Sequence, residues 1–295
     1  MNREMSYLLG MICGNGEIKR GAIETTISIE IPHKKLATEN NNDVRIYVRA
    51  RITEIRTVLE PLIGTGLNFT QQANYSIISF AKRNDEYMMR EILRYTGNAV
   101  SHENIRIDEE IFAFTRDEKI SFLQGFADVT GYIRRSNYFF KTYMHRVYLE
   151  VPHNWHLVSD VCQLLKDVNI PVQAIDWAHP NMRDGNLVKY NEGKPDFWKK
   201  EHQIKIWANE FLPIGFAVLH KREALTQFAI ELVDGIKSEG KNPENVTHKF
   251  YWEGKGKNKV KPHHPSENDA FIPSEIRGRH YDSWKQIAKD LGYEE

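Results

Sequence analysis

Cysteine is scarce: Cys13 and Cys162 are the only two in 295 residues. Two are too few for a disulfide framework or a thiolate metal site, and a reducing, intracellular (cytoplasmic) setting is expected. Long apolar runs are missing as well. None approaches the eighteen or so residues of a membrane span, so no membrane partner is expected. The sequence Met1-Asn2-Arg3-Glu4 enters an amphipathic segment directly, with no signal-peptide core. Charge of one sign is also absent, since 40 Lys and Arg balance 40 Asp and Glu. A zero sum argues only weakly against a nucleic-acid partner, because what matters is whether the bases share a face. With 41% hydrophobic and 27% charged residues, the chain has the composition of a globular protein and not of a disordered one.

The informative feature is a repetition. "SYLLGMICGNGEIKR" begins at Ser6 and "SFLQGFADVTGYIRR" at Ser121, and they align without a gap. In each copy an apolar helical pattern (Tyr7, Leu8, Met11, Ile12; Phe122, Leu123, Phe126) stops at a glycine, Gly16 or Gly131. β-prone sequence follows, broken at turn sites Gly21-Ala22 and Ser136-Asn137, and closes on a second echo, "IEIPH" (29–33) and "LEVPH" (149–153). A helix is then predicted in each half. One is capped by Asp43 and carries Ile52, Ile55, Leu59 and Leu62; the other carries Leu157, Val161, Leu164 and Leu165. Strand-like "YSIISF" (75–80) and "HQIKIW" (202–207) come next, and a last helix in each half runs into Gly97 or Gly235. So long a period implies two fused half-domains and not a solenoid. The expected fold is α+β, with αββαββα halves over 1–115 and 116–235. Residues 98–117 join the halves, and 181–196 read as a long loop. A basic extension, 236–295, holds a short helix with Trp284, Ile287 and Leu291 on one side.

On these residues the chain resembles the LAGLIDADG endonuclease family in its single-chain, two-repeat form. "LLGMICGNG" (8–16) and "LQGFADVTG" (123–131) stand where that nine-residue motif stands. The resemblance spans roughly 1–235. It implies two pseudo-symmetric halves forming a β-saddle over the DNA major groove, with one chain sufficient as a monomer. The motif helices would pack along a pseudo-twofold axis, Gly10 and Gly14 of one against Gly125 and Val129 of the other, because glycine lets backbones approach. Strand residues would reach bases while Lys and Arg hold phosphates. The candidates for DNA contact are Lys19, Arg20, Lys82, Arg83, Arg134, Arg135 and Lys205, with Lys255, Lys257, Lys259 and Lys261 as a phosphate clamp. The implied partner is double-stranded DNA. The implied activity is site-specific cleavage, of homing or restriction type, with Mg2+ or Mn2+; a DNA-binding regulator that does not cut is the alternative, and RNA binding in splicing a weaker third reading.

One departure matters. The family carries a metal-binding acid before the terminal glycine of each motif; here those places hold Asn15 and Thr130. An amide or hydroxyl can complete a magnesium shell but brings no charge to it. Three explanations stand open: a relative that does not cut, an Asp-to-Asn change at Asn15, or metal held by acids elsewhere. Asp128 lies about 200° around the helix from Thr130 and is expected to point away, capping or solvating the helix end. Glu17 is sterically possible, though its counterpart is Tyr132. The titratable residues common to both halves are in the second echo: Glu30 and Glu150 as metal or water anchors, His33 and His153 as water-activating groups. A Pro-His pair that merely ends a strand is the plainer reading of the histidines.

Overall fold

The computed structural model describes residues 1–36, 44–134, 145–152, 154–172, 174–179 and 201–238. The first helix, α1 (Arg3–Asn15), starts at Asn2, whose side chain accepts from Met5 N, and is buried from Met5 to Gly14. It runs into β1 (Gly16–Arg20) and β2 (Glu24–Pro32), then a single turn, α2 (His33–Leu36), and α3 (Val44–Ile63). Strands β3 (Asn68–Gln71) and β4 (Tyr75–Arg83) and helix α4 (Tyr87–Thr96) follow. The second motif helix is α5 (Arg116–Thr130), begun by a capping box in which Thr115 and Glu118 exchange hydrogen bonds. After it come β5 (Gly131–Arg134), β6 (Arg146–Pro152), α6 (Trp155–Asp167), β7 (Ala174–His179), β8 (Glu201–Trp207), the short α7 (Ala208–Phe211) and α8 (Leu219–Ser238). No helix among the described residues is long and apolar enough to cross a membrane.

Each half forms an antiparallel four-stranded sheet, in the orders β1-β2-β4-β3 and β5-β6-β8-β7. The expected α+β class and the doubled architecture are therefore those observed. Alternation fixes the faces: Ile18, Ile27, Ile29, Ile31, Ile78 and Phe80 are buried in the first sheet, as are Ile133, Val147, Leu149, Val151, Ile204 and Ile206 in the second. Gly16 pairs with Ile29 and Gly131 with Leu149, so the returning strand of each hairpin comes back beside the end of its motif helix.

Between the halves, α1 and α5 run side by side in the same direction. A Cβ added at Gly10 would lie 1.9 Å from Phe122 O, and one at Gly125 would lie 2.0 Å from Tyr7 O. Backbone touches backbone there, which no larger residue allows. Residues 98–107 do more than link. Ile18 N donates to Val100 O (2.7 Å) and His102 N to Gly16 O (2.8 Å), covering the free edge of β1. Arg106 grips Asp160 of α6 through two hydrogen bonds of 2.9 and 3.2 Å, and Asn154 Nδ2 donates to the carbonyls of His102 and Ile105.

Three sequence expectations differ in detail. The last helix does not stop at Gly235 but continues to Ser238, glycine being tolerated inside a long helix. The turn α2 and the short α7 carry too few residues for a periodic signal. Asp43, the loop 181–196 and the extension beyond Ser238 lie outside the described residues.

Two outcomes test this packing. Gly10→Ala is expected to cost about 3 kcal/mol or more, at or beyond the upper end of overpacking penalties, because its methyl meets main chain and not a movable side chain. An unchanged melting temperature would refute the close contact. The second concerns His220 of α8, whose Nε2 hydrogen-bonds Leu36 O across the halves. Burial pushes its imidazole down to about 4 from an ordinary 6.5. The folded state thus favours the neutral ring, while the unfolded chain gains a proton below about 6.5. This group's contribution is present above that pH and lost as pH falls toward 4. Melting temperatures recorded across that window should fall, and His220→Gln should flatten the fall.

Candidate nucleic-acid interface and the paired helix ends

The two motif helices end together. Asn15 and Thr130 are their last residues, and a Cβ at Gly14 would meet Val129 Cγ2 at 2.6 Å and Thr130 Cγ2 at 3.0 Å. Both following glycines have extended backbones, so glycine is needed there for space: a Cβ on Gly16 would lie 2.5 Å from Ile12 O. Asn15 is half-buried, and its Nδ2 donates to Glu30 O at 2.7 Å, tying the helix end to β2. Thr130 is buried and turns its hydroxyl back to donate to Phe126 O at 2.7 Å. This is the common threonine bond to the preceding helical turn.

Around these ends the halves part company. In the first, Glu17 and Glu30 are exposed on the open face of the sheet, with Ser28 opposite Glu17. In the second, Tyr132 holds the place of Glu17 and stacks on Tyr148 with ring centroids 5.1 Å apart. Glu150 holds the place of Glu30 but is 5% exposed. It pairs with Lys35 from α2 and accepts from Gln203 Nε2 at 2.9 Å. Lys35 Nζ also sits 4.9 Å from the Tyr132 ring centroid.

These residues do not fit the paired metal centre that the resemblance implies. Asn15 and Thr130 are uncharged, Glu150 is neutralised by an ammonium, and among the described residues only the first half presents exposed carboxylates there. Among the described residues, no group of three or more His, Cys, Asp or Glu could hold a metal ion.

His33 is buried, its Nδ1 3.2 Å from Ala73 O and its Nε2 2.9 Å from Ser76 Oγ. Burial lowers the pKa of its ring, against the opposing pull of the Ala73 carbonyl. Both nitrogens are engaged within the first half. His153 lies outside the described residues.

Asp128 corrects an expectation. It lies inside the protein and not in solvent. It is fully buried, accepting from Tyr7 Oη (2.7 Å) and Ala217 N (3.1 Å) with Lys221 Nζ 4.0 Å away. Asp128 is covered by Tyr7 of α1 and by the residues that lead into and begin α8, which a helical wheel cannot reveal. Burial raises the Asp128 pKa and pushes Lys221 down to about 8.

The basic pairs also divide, because neighbours on a strand face opposite ways. Lys19 is exposed on the open face, whereas Arg20 donates to Gly97 O. Lys82 lies 3.7 Å from Glu86, and Arg83 pairs with Asp85 through two 3.0 Å bonds. Arg134 is half-buried, and Lys205 is buried with Nζ 5.7 Å from the Tyr148 ring centroid. Arg135 and Lys255, Lys257, Lys259 and Lys261 lie outside the described residues. Sequence reasoning passed over Lys35 and His102. Lys35 follows the second echo in "PHKK", where a comparison with "PHNW" would have marked it. His102 lies in the linker beside Gly16, its ring pKa lowered by burial against the Gly16 carbonyl and the charges of Glu103, Glu30 and Glu17. No pattern in the linker signals it.

No protein-family model matches the chain, and no curated protein matches it. Solved structures similar to it include I-DmoI in complex with its target DNA in the presence of manganese, at 15% identity. That match covers 72% of this chain and 92% of the other, with a TM-score of 0.38. A variant of I-SmaMI is similar at 10% identity, covering 84% and 95% with a TM-score of 0.39. The N-terminal LAGLIDADG domain of DUF199/WhiA is similar at 14%, covering 72% and 82% with a TM-score of 0.38. The chain resembles the LAGLIDADG family on its two motifs and in the paired α+β architecture they organise.

His33→Ala is expected to destabilise the fold by about 1–3 kcal/mol, the cost of stranding buried hydrogen-bond partners. DNA affinity measured below the melting transition should not change. A variant with parental stability that slows cleavage of one DNA strand would instead show that the ring activates water.

Proposed function

We propose that the chain recognises a specific stretch of duplex DNA on a LAGLIDADG-type scaffold and acts there as a site-specific endonuclease, of homing or restriction type. The observation that carries this reading is the backbone contact at Gly10 and Gly125. It sets two motif helices in parallel and delivers Asn15 and Thr130 to one point between two antiparallel sheets. A sheet face of small polar residues such as Thr26, Ser28 and Ser79, flanked by Lys19, suits the major groove, which admits β-structure. A second reading, a DNA-binding regulator that does not cut, is favoured by one specific observation: neither helix end carries an acid.

The tests are direct. Affinity for duplex DNA should fall steeply with salt, about tenfold or more between 50 and 200 mM, if several phosphates are neutralised. An affinity indifferent to salt would sink the DNA-binding reading. Purified protein with Mg2+ or Mn2+ should cut a pool of duplex sequences at a preferred site, and Asn15→Asp, which restores a carboxylate at the axis, should raise that rate. Binding without cutting by both the parent and Asn15→Asp would establish the regulator reading.

A further inference from the structure

We infer that in the second half the ammonium of Lys35 takes the place a divalent cation would hold, so that this half excludes the metal. The inference rests on the endonuclease reading and adds to it that the two halves are unequal.

The equivalence of the two places follows from the sheets. Gly16 pairs with Ile29 and Gly131 with Leu149, so Glu30 and Glu150 are each the next residue along the returning strand beside a motif-helix end. Glu30 is exposed, whereas Glu150 is 5% exposed and both its oxygens are engaged. Oε2 takes Lys35 Nζ, and Oε1 accepts from Gln203 Nε2 at 2.9 Å. Lys35 comes from the other half, reaching across from α2, and is itself 4% exposed. Its Nζ also lies 4.9 Å from the centroid of the Tyr132 ring. That ring stands where the first half has the carboxylate of Glu17.

Among the described residues, the second place thus already holds a buried monovalent cation against a carboxylate and an aromatic face. Mg2+ needs near-octahedral oxygen ligands and anionic charge. Among the described residues it would find Glu150, already neutralised, and a repelling ammonium. Among the described residues, no cation of the second half pairs with Glu30. Two residues past the Pro-His echo, where the first half has Lys35, the second has Trp155, which carries no charge.

Mn2+ binding to the full-length protein, followed by electron paramagnetic resonance, tests this with Glu150→Gln, Lys35→Met and the double variant. Glu150→Gln should leave the parent's Mn2+ affinity within about twofold, because no metal sits at that carboxylate. Lys35→Met, which frees Glu150, should bind Mn2+ at least about tenfold more tightly than the Lys35→Met/Glu150→Gln double variant. Weakening of the parent's Mn2+ binding by Glu150→Gln would overturn the inference, as would a folded Lys35→Met that gains nothing over the double variant. If Lys35→Met does not fold, the Glu150→Gln comparison decides alone. DNA binding and cleavage assayed on the same preparations separate the two ideas. A parent that behaves as expected toward Mn2+ but never cuts retires the endonuclease reading and leaves the Lys35 assignment standing.

Discussion

Two carbonyl oxygens, Phe122 O and Tyr7 O, occupy the space where Gly10 and Gly125 would carry a Cβ. Close-packed interiors transmit such a constraint because little free volume absorbs a shift. Helices in that contact must end together, so the strands that leave them begin together at Gly16 and Gly131. The sheets then diverge to either side, each burying one face of isoleucine, valine and leucine. Moving the helices apart by a methyl group would displace the first strand of each sheet, and with it every residue on the open face.

Further cross-ties hold the pair, and they are not symmetric. The first half sends Lys35 to Glu150, and the linker passes from β1 to α6 through Asn154 and Asp160. The start of α8 reaches back to Leu36 and Glu54. Beneath α5, Asp128 and Lys221 form a buried pair anchored by Tyr7. Buried ion pairs of this kind add little net stability over an apolar packing, yet removing one partner strands a charge. Their effect here is to fix which surfaces meet. A duplicated scaffold thus becomes one in which each half has its own surroundings.

How much of this could be read in advance depends on distance along the chain. The motif helices, the hairpin turn near residue 23 and the apolar face of α6 follow from periodicity and glycine placement, which are local signals. The doubling was visible because "IEIPH" and "LEVPH" echo each other as well as the motifs. What could not be read was which side chains meet across the axis. Asp128 reads as solvated or capping, but it is buried, since its cover comes from Tyr7 of α1 and from residues about ninety positions later. The basic pairs read as strand-borne phosphate contacts as doublets, but alternation leaves Arg20 and Lys82 on the far side of the sheet or its edge. Lys35 and Glu150 are a contact of sequence separation 115, beyond any window of pattern analysis.

The replaced acids acquire a physical sense from the same geometry. Parallel helices that end side by side bring two carbonyl-rich, partially negative termini together, and neither α1 nor α5 has a basic residue in its last turn. Acids at both ends would add two full negative charges there and require a cation to hold them. With Asn15 and Thr130 the requirement lapses. Lys221 Nζ donates to Ala127 O and Asp128 O at the end of α5, while His102 N serves Gly16 O just past the end of α1. Asn15 and Thr130 each place a donor on a carbonyl, the one on β2 and the other on α5 itself. At the end of α5 the protein thus supplies its own cation, and at the end of α1 the neutral Asn15 ties the helix to β2.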